Sequence, residues 1–192
     1  MKLYEKLPSS IDYNNKTYEL NTSYVAVLAV FDLLQDDEIS PEIKIRTALD
    51  ILIKGDHEIS VDLLVLILNI FKTEKVSQKK DEPVMDIEQD WPFIISAFQQ
   101  AYNIDLTADR QMHYLRFLAL IKGIPKGTRL SEIMEIRARP IPAINDHNRE
   151  QVSDLIRLKA EYAIKKNSMN FNDSVGFLFN SLKGKAVKKN GR

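Results

Sequence analysis

The stretch that most constrains this chain is residues 86–123, DIEQDWPFIISAFQQAYNIDLTADRQMHYLRFLALIKG, which holds the only Trp and a dense set of aromatics. Apolar residues recur there at helical spacing: Trp91, Ile94, Ile95, Phe98 and Tyr102 in one run, Met112, Leu115, Phe117, Leu118 and Ile121 in the next. The pattern predicts two helices joined by the short connector Asn103-Ile104-Asp105-Leu106. If Asp90 caps the first, Pro92 falls in the opening turn, where its missing N–H costs nothing; if that helix begins at Ile87, it must be kinked at Pro92. Thr107 is the expected N-cap of the second and Gly123 its terminator in the left-handed conformation.

The flanking sequence extends the helical reading. Residues 10–20, SIDYNNKTYEL, predict a small β-hairpin, because Asn14-Asn15 tolerates the positive φ of a tight turn. Thr22 or Asn21 should cap the next helix, with Tyr24, Val27, Leu28, Phe31 and Leu34 on its buried face. Ser40-Pro41 opens another helix, striped by Ile45, Leu49, Leu52 and Ile53 and ended by Gly55. Ser60 starts a third, VDLLVLILNIF, apolar on most sides. Residues 72–85 are polar and charged, with a Pro, and predict a flexible loop. Thr128 or Ser131 begins a short helix, and Arg139-Pro140-Ile141-Pro142 breaks regular structure. Asp146 is the expected cap of a long basic helix, and a short helix follows near residues 173–182. The fold class expected is mainly α: a single compact domain over residues 1–182, with seven or eight helices and the hairpin, then a disordered basic tail at 183–192.

Composition narrows the chemistry. Zero cysteines exclude a disulfide scaffold, a thiolate metal site and a cysteine nucleophile. The apolar run at residues 63–68 is far short of the roughly 18 residues that span a bilayer, and no signal-peptide core opens the chain. The expected location is the host cytoplasm, away from membrane. His57, His113 and His147 fall in no metal-ligand spacing, and no phosphate-cradling or nucleophile-elbow motif occurs. Asp109 and His113 stand one helical turn apart, which makes an Asp–His pair the single constellation resembling a general base. The chain is therefore expected to have no catalytic residue, no metal and no cofactor.

Zero net charge hides a division. Residues 1–96 carry 10 Lys+Arg against 18 Asp+Glu, a balance of −8; residues 97–192 carry 17 against 9, a balance of +8. One reading of the basic half is DNA binding, since residues 107–139 have a helix-turn-helix outline ending in Arg137-Ala138-Arg139. Glu132 and Glu135 would repel phosphates there, so nucleic acid is not the expected partner. The other reading is a protein partner, met by amphipathic helices, with Trp91, Tyr102, His113, Tyr114 and Arg116 as candidate contacts.

The wording from Asp90 to Arg139 resembles the bacteriophage "gene product fifteen" family of Gram-positive siphophages and prophages. The residues that carry the likeness are Phe98, Ile104-Asp105-Leu106, Met112-His113, Phe117-Leu118-Ala119-Leu120, Ser131-Glu132 and Ile136-Arg137. LPSSIDYNNKTYELNTSY near the start and LIRLKAEYAI near the end are similar to the family's opening and closing segments. Tyr114-Leu115 stands where the family usually has a pair of tryptophans. That family is encoded among tail genes, between the major tail protein and the tape-measure protein. The resemblance implies a non-enzymatic tail assembly chaperone whose partners are the tape-measure protein, the major tail protein and the neighbouring tail assembly protein. A structural tail component is the alternative it leaves open.

Overall fold

The computed structural model describes residues 6–72 and 83–165. Among them are seven α-helices and one two-stranded antiparallel sheet, the mainly-α fold with an N-terminal hairpin that the sequence predicts. The expected helix at 173–182, the basic tail and most of the loop at 72–85 lie outside the described residues. Two compact units divide the rest: residues 6–72 with 110–118, and residues 83–109 with 119–165.

In the first unit, β1 (Ser10–Tyr13) pairs with β2 (Lys16–Glu19) in the register Ser10 to Glu19 and Tyr13 to Lys16. Asn14 and Asn15 turn the chain at φ 49° and 59°, the positive values a two-residue loop requires. A lone hairpin is marginal in water. This one is held by the segment after the second helix: Tyr13 bonds Ser60 at 3.0 Å, Asn14 donates to Glu58 at 3.1 Å, and Lys16 donates to the Asp56 carbonyl at 2.8 Å. Leu20 then bridges Ile53, so the second strand's line continues into a two-residue pairing.

Helix α1 (Tyr24–Gln35) is capped by Ser23, whose hydroxyl accepts from the Ala26 N–H, rather than by Asn21 or Thr22. Asn21 instead accepts the Ser23 hydroxyl at 3.0 Å, so the capping oxygen is itself positioned by the residue that resembles a cap. Helix α2 (Pro41–Leu52) opens on Pro41 and buries Lys44, which donates to the Leu34 carbonyl at 2.9 Å. That carbonyl is one of the unpaired acceptors ending α1, and α1 has no basic residue of its own there. Ile53 closes α2 in extended backbone, and Gly55 follows at φ 93°. Helix α3 (Val61–Phe71) has Ser60 as its N-cap, accepting from Leu63 at 3.3 Å.

In the second unit, α4 (Trp91–Tyr102) begins after Asp90 with Pro92 in its first turn, the unkinked one of the two starts that its sequence allows. Its C-cap is Asn103, left-handed at φ 54° and ψ 36°. Helix α5 (Tyr114–Lys122), with residues 114–118 in the first unit and 119–122 in the second, starts six residues later than Thr107 implies. Thr107 donates its hydroxyl and its N–H to the Asp105 carboxylate at 2.6 and 2.8 Å, a local bond that competes with capping. Gly123 does end α5, with its N–H on the Ala119 carbonyl, but without the left-handed conformation expected of it. Its reason is space. A Cβ there would stand 3.2 Å from the Tyr102 hydroxyl, which donates to the Leu120 carbonyl at 2.8 Å.

Helix α6 (Arg129–Ala138) is capped by Thr128, accepting from Ser131 at 3.2 Å. Helix α7 (Arg149–Glu161) follows Asn148, not Asp146. Asn145 accepts the N–H groups of His147 and Asn148, and Asn148 accepts that of Asn145 at 2.7 Å. This reciprocal turn sets the start of the helix and leaves Asp146 exposed.

Candidate functional site

The second unit is framed by one ion pair. Arg137 of α6 closes on Asp90 before α4, with Nη1–Oδ2 at 2.5 Å and Nη2–Oδ1 at 2.8 Å. The two side chains are 7% and 1% exposed. Each remaining lone pair or proton finds work nearby. Asp86 N–H donates to the Asp90 carboxylate, while Arg137 also donates to the carbonyls of Val84 and Tyr162. Lys159 of α7 in turn donates to the Arg137 carbonyl, one of the acceptors left open at the end of α6. Val84, Asp90 and Tyr162 thus meet on one guanidinium.

The basic cluster that suggested DNA contact is committed to this frame. Arg137 is inside; Arg129 pairs with Glu132 at 2.9 Å and Arg139 with Glu135 at 3.0 Å. The bond to Glu132, followed by Tyr162, raises the pKa of Arg129 further. Leu130 and Ile133 of the same helix are buried. The two arginines of this helix and its C-cap Arg139 each face a carboxylate of their own unit, which lowers the field offered to a phosphate backbone.

The five candidate contact residues fall in both units. In the first, Tyr114 is buried, meeting the Phe31 and Phe71 rings edge to face at 5.6 and 5.8 Å. Its place is in the core, beside the Tyr24–Phe117 stack at 4.7 Å. Burial pushes the Tyr114 phenol well above its ordinary pKa. His113 is half-buried and bridges Ser23, outside any helix. Its Nδ1 faces the Leu115 N–H at 3.1 Å and its Nε2 the Pro8 carbonyl at 3.0 Å. An acceptor at Nδ1 and a donor at Nε2 define the neutral Nε2–H tautomer. The expected helical Asp109–His113 pair does not form: Asp109 and His113 both precede α5, and the imidazole spends both nitrogens on backbone groups. Arg116 alone of the three is exposed. In the second unit Trp91 and Tyr102 are half-buried, Tyr102 with its ring against Phe98 at 5.6 Å.

Other apolar side chains present more surface. Ile43 and Ile59 in the first unit are 57% and 55% exposed. In the second unit Ile141 and Ile144 are 53% and 61% exposed, and Ile156 of α7 is 45%. For Ile141 and Ile144 the sequence signal was Pro140-Ile141-Pro142, read only as a break in structure. Isoleucines left outside a core in a segment that cannot be helical are the form such a surface takes in sequence.

Metal-ligand chemistry is limited. Among the described residues no group of three or more His, Cys, Asp or Glu is arranged to hold an ion. His57 sits 3.2 Å from the Asp50 carboxylate and 3.1 Å from the Gly55 carbonyl. No helix among the described residues is long and apolar enough to cross a membrane.

A family model described as Bacteriophage Gp15 protein matches residues 3–164. No curated protein and no solved structure matches the chain.

Proposed function

The chain belongs to the Bacteriophage Gp15 protein family, and from that premise we propose that it is a tail assembly chaperone that binds the tape-measure protein during tail morphogenesis. The observation that carries this reading is the extent of the family match, which runs from the hairpin through α7. With it comes the gene position that the resemblance implies, beside the tape-measure gene. In this reading the chain acts by reversible binding in the host cytoplasm, performs no chemistry and needs no cofactor. The major tail protein and the neighbouring assembly protein join as further partners.

Physical chemistry supports a binding role. A long amphipathic partner exposes apolar stripes before it is enclosed by the tail tube, and exposed isoleucines on the chaperone offer area to cover them. The acidic and basic halves of the chain give orientation to such an encounter more than affinity.

The test is co-expression with the tape-measure protein of the same genome. The chaperone should raise the soluble fraction of that protein and co-purify with it. Unchanged solubility together with no co-purification would overturn the reading. Stoichiometric recovery of the chain from purified virions would favour a structural tail component instead.

A further inference from the structure

His113 joins three stretches of the first unit through its ring and its backbone. Tyr114 is the first residue of α5, and the His113 carbonyl accepts from the Phe117 N–H at 3.0 Å. His113 is therefore the N-cap of that helix. The capping atom is Nδ1, which accepts from the Leu115 N–H at 3.1 Å. On the other side of the ring, Nε2 donates to the Pro8 carbonyl at 3.0 Å. Pro8 precedes Ser9, whose carbonyl receives the Leu20 N–H at the open end of the hairpin. The His113 backbone bridges Ser23, the N-cap of α1. The Tyr24 N–H meets the Met112 carbonyl there, and the Tyr114 N–H meets that of Thr22. Two helix N-termini thus lie side by side at one imidazole.

An N-cap is ordinarily Ser, Thr, Asp or Asn, whose oxygens keep their lone pairs in neutral and mildly acidic water. An imidazole caps only while Nδ1 is unprotonated. A second proton turns Nδ1 into a donor facing the Leu115 donor, and it sets a cation where two helix dipoles present their positive ends. Among the described residues no carboxylate bonds the ring to offset this. Glu19 of β2 is paired with Lys54, and the first turn of α1 has no acidic residue. Lys6, Asp109, Arg110 and Arg116 are exposed. Of the neighbouring phenols, Tyr24 stacks on Phe117 and Tyr114 meets Phe31 and Phe71.

We infer that His113 is a proton-operated clasp: the neutral ring caps α5 and holds the chain that leads into the hairpin, and a second proton opens both contacts together. The Nε2–H survives protonation, but the ring that carries it must turn away from Leu115, so the Pro8 contact goes with the cap. Histidine is the side chain that ordinarily changes charge between about pH 5 and 8, so the clasp is shut in neutral solution and opens on mild acidification. This device is independent of the chaperone reading.

Hydrogen exchange of the full chain, followed by NMR at about pH 7.5 and about pH 5.5, tests it, with each rate divided by that of an unstructured amide at the same pH. The protection of Leu115 should fall about fivefold in acid, the equivalent of one lost N-cap. Leu63, capped by the Ser60 hydroxyl, should keep its protection. His113→Asn keeps a capping oxygen that does not titrate, so Leu115 should stay protected at both pH values. His113→Gln reaches toward Pro8 without an acceptor at the Nδ1 position, so Leu115 should be unprotected at both. Equal protection of Leu115 in wild type at the two pH values would overturn the clasp. So would a parallel acid loss at Leu63, which reports unfolding as a whole, or an acid loss in His113→Asn equal to that of wild type. The wild-type pair of measurements decides the matter even where a variant fails to fold.

Discussion

Asp90 and Arg137, 47 residues apart in sequence, face each other through two parallel hydrogen bonds with almost no exposure to water. The geometry also suits both helices. Asp90 stands at the N-terminus of α4 and Arg137 in the last turn of α6, the ends where a carboxylate and a guanidinium are each favoured. Removing one partner leaves the other charge buried and alone. Asp90→Ala or Arg137→Ala should each cost about 3–5 kcal/mol in urea unfolding followed by Trp91 fluorescence. D90L/R137M should cost clearly less than the two single changes together. A strictly additive double variant would show that the pair is not coupled.

Tyr114 predicts an alkaline limit. Burial raises its pKa above the ordinary value of 10.0, so the folded state holds the proton that the unfolded state gives up. Unfolded chains then bind fewer protons than folded ones, and stability falls as pH rises past about 10. Below that value the contribution is fully present. Tyr114→Phe removes the titrating hydroxyl and should flatten the decline, measured as the urea midpoint between pH 9 and 11. An identical decline in the variant would assign it to other tyrosines or lysines.

Asn103 is the C-cap of α4 in a left-handed conformation. Asn103→Ala keeps a Cβ in the left-handed region but loses the short polar side chain that makes that region tolerable for Asn, and should lose about 1 kcal/mol. Asn103→Gly keeps the backbone without strain but drops the bond from the Gln99 amide, so its melting temperature should stay within about 2 °C of wild type. Equal losses for both would mean the side-chain bond, not φ, decides this cap.

Ser60 serves two elements at once, capping α3 and meeting the Tyr13 hydroxyl of the hairpin. Ser60→Ala should therefore cost more than an ordinary cap, about 2 kcal/mol. In a Tyr13→Phe background the same change should cost about 1 kcal/mol. Thermal unfolding of the four forms reads the difference, and equal costs in both backgrounds would separate the hairpin from the cap.

Local chemistry was legible where a residue's nearest neighbours settle its role. Asn14-Asn15 names the hairpin turn and Ser60 names a helix start, while Thr128 and Asp90 each stood as one of two candidates for another. It misled where two local bonds compete. Thr107 has the side chain of a cap, but Asp105 lies two residues earlier and takes both its hydroxyl and its N–H. Those bonds, the hydroxyl's first, also hold the Asp105 carboxyl below its ordinary pKa. Residues 106–112 consequently form turns, and α5 waits until Tyr114. The frame of the second unit was illegible because it depends on distance along the chain. Nothing near Arg137 reveals that its partner is Asp90, and a basic residue at a helix end looks the same whether it points outward or in. Ile141 and Ile144 were hidden for another reason, since periodicity arguments see helices and strands and pass over a segment that is neither.

The prolines between α6 and α7 have a further effect on how the protein behaves among copies of itself. In a fully extended chain, alternate residues direct their amides to opposite edges, and Pro140 and Pro142 fall on the same one. That edge lacks two donors in a row. An exposed, uncharged, isoleucine-bearing stretch would otherwise be a seed for sheet growth; here one of its edges is closed to a neighbouring strand.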